Sequence, residues 1–160
     1  MRTAILAFVL MGASALPALA DFDLDKTKTC LLEAQSKKGN PAICIEEAHA
    51  PCLAEPADSP SLAALCFTKA RETWSTGITA EMDAIKAGAP EQIAAIAGIE
   101  LKYDLIASLT QCDRMEELAL LGDMPAERLQ RDMARCQASS SGLAYARLLW
   151  RASTLPVEDK

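Results

Sequence analysis

Residues 30–66 read CLLEAQSKKGNPAICIEEAHAPCLAEPADSPSLAALC. Two helix breakers interrupt this stretch, Lys37-Lys38-Gly39-Asn40-Pro41 and Glu55-Pro56-Ala57-Asp58-Ser59-Pro60. Cys30 and Cys44 lie seven residues either side of position 37, and Cys52 and Cys66 lie seven either side of position 59. A third breaker, Gly122-Asp123-Met124-Pro125, is flanked by Cys112 and Cys136, each twelve residues from position 124. In an antiparallel helical hairpin, residues equidistant from the turn face each other. The spacing therefore favours an all-α fold of stapled hairpins with bridges Cys30–Cys44, Cys52–Cys66 and Cys112–Cys136. The alternative is a nested scheme, Cys44–Cys52 inside Cys30–Cys66. It needs 30–44 and 52–66 each to be an unbroken helix, which Gly39-Asn40-Pro41, Pro56 and Pro60 oppose. If Cys44 and Cys52 share one helix they stand about 12 Å apart, beyond the roughly 7 Å that a disulfide tolerates.

The N-terminus says why these sulfurs should be oxidised. Arg2 precedes an uncharged, mostly apolar run from Ala4 to Leu16, and Ala18-Leu19-Ala20 places small residues at the positions a signal peptidase reads. This predicts a signal peptide over 1–20, cleaved after Ala20. The apolar run is too short to span a bilayer and is interrupted by Pro17. No cysteine follows the cut directly, which disfavours a lipid anchor. Loss of Arg2 leaves 15 basic against 22 acidic side chains, a net charge of −7. The exported chain lacks an Asn-x-Ser/Thr acceptor, which inclines the reading to a periplasm. Six cysteines in an oxidising compartment read as three disulfides. Metal binding would want closely spaced ligand pairs, and the chain has no C-x-x-C and only one histidine, His49.

The whole chain has 160 residues and a net charge of −6, with 51% hydrophobic and only 4% aromatic residues. That composition suits one packed domain over 21–160 and favours helix over sheet. Without a basic cluster, nucleic acid is not an expected partner. The breakers and caps predict five helices. The first covers about Lys26–Ser36. The second is capped by Asn40, with Pro41 at its first position, and runs to about His49, where Pro51 ends or bends it. The third runs from Pro60 to about Lys86, with Gly77 as a candidate kink and Gly88 closing it. The fourth runs from Pro90 to about Leu121, and the fifth from Pro125 to about Ser153, with Ser139-Ser140-Ser141-Gly142 as a weak point. Leu105, Leu109, Cys112 and Met115, then Leu129, Met133 and Cys136, recur at helical spacing, so each bridge should sit at a helix–helix contact. A loose tail is expected from Pro156 to Lys160.

Few residues suggest chemistry. A Ser–His–Asp or Cys–His centre would have to use His49, beside Pro51, where a surface or capping role is expected. The adjacent acids Glu46-Glu47 and Glu116-Glu117 diverge by about 100° on a helix and read as solvated faces. No phosphate loop, H-E-x-x-H or G-x-S-x-G motif occurs. Met82, Met115, Met124 and Met133 read as core filler rather than a metal site, and Trp74 and Trp150 as core anchors. No catalytic residue, metal or cofactor is expected, and a cell-wall hydrolase is the least favoured reading.

The segment Cys44-Ile45-Glu46-Glu47-Ala48-His49-Ala50-Pro51-Cys52, followed by Cys66 and Trp74, resembles the lysozyme-inhibitor LprI-like N-terminal domain family of small exported helical proteins. The family pattern is C-I-G-x-A-x-x-x-C, a polar gap, another Cys, then W-D-x-x-L-N-x-x-Y. Cys44, Ile45, Ala48, Cys52, Cys66 and Trp74 match it, and Cys112 and Cys136 fit the family's last two cysteines. Glu46 replaces the usual Gly, Ser75 the Asp, Ile78-Thr79 the Leu-Asn and Met82 the Tyr, and Ser108-Leu109 stands where Arg-Asp is usual. The resemblance implies a protein that blocks lysozyme-type muramidases by binding. An acidic chain suits a basic enzyme through steering. The acidic turn Glu55–Ser59, with Glu55 and Asp58 closed off by the Cys52–Cys66 bridge, is the candidate contact. The alternative is an envelope structural or adaptor protein without inhibitory activity.

Overall fold

Five helices follow one another in the computed structural model, which describes residues 22–155: α1 (Leu24–Ser36), α2 (Ala42–Leu53), α3 (Pro60–Gly88), α4 (Glu91–Ala119) and α5 (Ala126–Ala152). The leader expected over 1–20 and the tail from Pro156 to Lys160 lie outside the described residues. No strand occurs among the described residues, and the fold is all-α. Local chemistry sets the helix ends. The Asp23 carboxylate accepts the Lys26 N–H at 2.9 Å and caps α1. Asn40 Oδ1 accepts the Ala42 N–H at 3.0 Å at the start of α2. Pro60 opens α3, where its missing N–H costs nothing. α1 ends in a left-handed turn, with the Gly39 N–H donating to the Ala34 carbonyl at 2.7 Å. The residue at positive φ there is Lys38, at 52°, rather than the neighbouring glycine.

α2 runs past its expected end near His49 and includes Pro51, continuing to Leu53 with the Ala54 N–H donating to the Ala50 carbonyl at 3.0 Å. A proline in the last turn removes a single hydrogen bond, and Cys52 fixes that turn to α3 through its bridge to Cys66. The bridges are Cys30–Cys44, Cys52–Cys66 and Cys112–Cys136, with Cα–Cα distances of 5.9, 5.4 and 5.7 Å, and no free cysteine remains. They fasten α1 to α2, α2 to α3 and α4 to α5. Each closes a short loop and contributes on the order of 3 kcal/mol by restricting the unfolded chain.

α5 is the central element. It packs most extensively against α3 and next against α4. Phe67 shares a cluster with Ala138, Trp74 with Tyr145, and Met82 with Leu148, so α3 and α5 run parallel. α4 returns between them in sequence and lies antiparallel to α5, fastened by Cys112–Cys136 and by the ion pairs Asp104–Arg147 and Glu100–Arg151. The core is built on Trp74, which is fully buried with Leu31, Ile45, Ala146 and Leu149 around it. Trp150 anchors less deeply. It is half-buried, and its indole N–H donates to the Leu31 carbonyl at 2.9 Å, tying α5 to α1.

The two suspected irregularities in long helices are close-packing positions. α3 is unbroken at Gly77 and α5 is unbroken through Ser139-Ser140-Ser141-Gly142. A Cβ at Gly77 would come within 3.0 Å of Leu24 and of the Tyr145 ring, and one at Gly142 within 3.0 Å of Ile45 and of the Trp74 indole. Gly142 therefore lets the indole lie against the α5 backbone. Gly142→Ala should destabilise the protein by about 1–2 kcal/mol in urea unfolding, overpacking outweighing the helix-propensity gain. Gly98→Ala is the matched control. Its Cβ meets only Met82 Cε, at 3.7 Å, so this change should stabilise by about 0.5–1 kcal/mol. Equal effects at the two sites would contradict the seat assigned to Gly142.

Candidate functional site

The acidic turn between α2 and α3 is short and closed at its base. Cys52, in the last turn of α2, and Cys66, in the second turn of α3, are both buried and bridged. Between them the Ser59 N–H donates to the Pro56 carbonyl at 2.9 Å, and the Ser59 hydroxyl lies 3.4 Å from Asp58 Oδ1. Asp58 is exposed and Glu55 is half-buried, so of the two candidate residues Asp58 presents the freer carboxylate. Exposed Leu53, Leu62 and Leu65 flank the turn on α2 and α3. The site thus offers negative charge beside apolar surface, on a loop held by a covalent bond.

The bridge at the base of the turn adjoins an aromatic cluster, since Cys52 and Cys66 pack with Phe67. His49 precedes Cys52 by less than one helical turn, and Phe67 follows Cys66 directly. His49 stands edge-on to Phe67 with ring centroids 5.5 Å apart, and its Nε2 accepts the Trp74 indole N–H at 3.0 Å. Phe22 and Tyr145 extend the cluster, with ring centroids 4.4 and 5.6 Å from the Trp74 ring. The expected surface or capping role for His49 is wrong: the residue is only 2% exposed. The signal was present in the spacing, because His49 falls on the same helical stripe as Ile45, Ala48 and Cys52. Since Nε2 accepts, the neutral ring carries its proton on Nδ1. Burial lowers the His49 pKa from 6.5 to about 4, and the positive charge of Arg135 acts in the same direction. The imidazole therefore stays neutral and serves as a polar joint between α2 and α3.

Two further polar features are structural. Lys28 Nζ lies 2.6 and 3.1 Å from the two carboxylate oxygens of the buried Glu81, joining α1 to α3. Near it, burial raises the Tyr145 pKa to about 12, helped by the negative charges of Glu81 and Asp25. Among the described residues, no group of three or more His, Cys, Asp or Glu side chains is placed to hold a metal ion. No described helix is long and apolar enough to cross a membrane. The methionines do not all fill the core as expected. Met82 is buried and Met133 half-buried, but Met115 and Met124 are exposed. Their stretch of chain lies at the end of a hairpin, where no further described element covers them.

No family model matches the chain, and neither a curated protein nor a solved structure shows significant similarity to it.

Proposed function

We propose that the protein is an exported, periplasmic protein-binding domain that inhibits lysozyme-type muramidases, with the turn around Glu55 and Asp58 as its contact. The observation that carries this reading is the acidic turn itself, stapled at its base by Cys52–Cys66, which packs with Phe67. A pre-organised loop loses little conformational entropy on binding. Its carboxylates, on a chain of net charge −7 once the leader is removed, steer it toward a basic enzyme. The likeness of the Cys44–Cys52, Cys66 and Trp74 pattern to the LprI-like family supports the same partner. Three disulfides support export to an oxidising compartment, since such bonds rarely persist in a reducing cytosol. The protein acts here by occupying a cleft, so no catalytic group or cofactor is invoked.

A lytic assay tests the reading. Micromolar protein should slow lysis of cells by at least one of several purified lysozymes, and the effect should weaken as salt rises. Glu55→Gln with Asp58→Asn should weaken inhibition by about tenfold or more while leaving the urea midpoint in place. Absence of inhibition across the enzyme panel rejects the inhibitor. The surviving reading is then an envelope adaptor, which exposed apolar side chains outside the turn favour.

A further inference from the structure

The α4–α5 hairpin ends in a cluster of uncovered apolar side chains. Leu121 is 85% exposed, Leu118 68% and Leu120 66%, with Met115 and Met124 beside them at 52% and 44%. Next to this cluster is a pocket of about 180 Å³ lined by Met115, Ala119, Met124, Leu129, Met133 and the Cys112–Cys136 bridge. Single exposed leucines are ordinary, but Met115 and Leu118 lie one turn apart on the same side of α4 and Leu121 follows just past its end, a run of uncovered apolar side chains of the kind that marks an interaction surface. Methionine suits such a surface because its unbranched, polarisable chain repacks around different partners. The bridge holds the two walls of the pocket together.

The charge around the patch says what can cover it. Residues 112–133 carry six acids, at 113, 116, 117, 123, 127 and 132, against Arg114, Arg128 and Arg131. Arg131 and Asp132 pair with each other at 2.7 Å, which leaves five acids against two arginines. Glu116 and Asp132 themselves line the pocket. A second copy of the chain would bring one negative rim against another, and an anionic lipid surface would be repelled in the same way. A partner that is apolar on one side and cationic at the margins satisfies both features.

We infer that the α4–α5 hairpin end is a docking surface for a basic amphipathic helix of a protein partner. Apolar side chains of that helix fill the methionine pocket, and its Lys or Arg residues meet Glu116 and the neighbouring Asp113, Glu117, Asp123 and Glu127. This rests on the protein-binding reading above, but neither on a muramidase as the partner nor on the Glu55–Asp58 turn.

The test uses the intact oxidised protein and a fluorescent 18-residue Leu/Lys amphipathic helix, followed by anisotropy. A scrambled peptide of the same composition and a Leu/Glu helix serve as controls. The amphipathic cationic helix should bind at least tenfold more tightly than either. Leu118→Asp with Leu121→Asp should weaken it tenfold or more, while Glu55→Gln with Asp58→Asn should change it less than twofold. Both hairpin positions are exposed, so the doubly substituted protein should keep its urea midpoint, and it should keep any muramidase inhibition. No binding, equal binding of the scrambled peptide, or insensitivity to the hairpin substitutions would overturn the inference. So would preferential adsorption of the protein to phosphatidylglycerol vesicles, or a concentration-dependent dimer that the hairpin substitutions abolish. A failed lytic assay with a positive peptide result would remove the muramidase and leave the docking surface standing.

Discussion

Trp74→Ala should cost about 3–5 kcal/mol in urea unfolding, the range for emptying a buried aromatic site. The indole is fully buried and touches α2 through His49, the start of the described chain through Phe22, and α5 through Tyr145 and the backbone at Gly142. Its removal opens a cavity where three helices meet and leaves His49 Nε2 without its donor. Trp74→Phe separates the two contributions. Phenylalanine keeps much of the apolar volume but cannot donate, so this change should cost about 1–3 kcal/mol, the penalty for an unpaired buried polar group with a small packing loss. A loss below about 1 kcal/mol for the alanine variant would mean that this cluster is not the core.

Acid should weaken the fold over a defined interval. His49 is held neutral in the folded chain, with a pKa near 4, against 6.5 when unfolded. Below pH 6.5 the unfolded chain takes up a proton that the folded chain refuses until about pH 4. The stability that neutral burial contributes is complete above pH 6.5 and is lost as pH falls toward 4. The total is roughly 3 kcal/mol, because each tenfold difference in proton affinity between the folded and unfolded chains is worth about 1.4 kcal/mol. His49→Gln keeps an acceptor for the indole N–H and has nothing to titrate. Stability measured at pH 7.5 and pH 4.5 should therefore differ less in this variant than in the parent by about 2–3 kcal/mol. Identical pH profiles would show that the imidazole takes up its proton freely in the folded chain.

The parts of the architecture legible in sequence are those written in local chemistry. Proline, glycine and aspartate at the three turns mark where helices stop, and matched cysteine spacing marks which helices lie side by side. Glycine within a helix is ambiguous. Gly77 and Gly142 look like weak points until the Tyr145 and Trp74 rings that lie against them are known. Pro51 signals an early end to α2, which would leave His49 at the surface despite its place on the buried stripe. α4 is ambiguous for another reason. Its outer face carries Ile96, Ile99, Tyr103 and Ile106, all exposed, while the buried positions include Ala94 and Ala97. Periodicity finds both stripes, but the larger residues lie on the outside, and small ones at the contact allow close approach to α5. The acidic turn can be read directly from Glu55 and Asp58. The hairpin end cannot, because leucine and methionine near a helix terminus look the same in sequence whether or not another element covers them.

The six cysteines pair consecutively, first with second, third with fourth and fifth with sixth, with no bridge spanning another cysteine. A polypeptide threaded through a membrane from its N-terminus would present Cys30 and Cys44 before Cys52 emerges, and Cys52 and Cys66 well before Cys112. An oxidant that couples thiols in order of arrival would make every native bond at the first attempt. Maturation of this molecule would then need an oxidase but no isomerase.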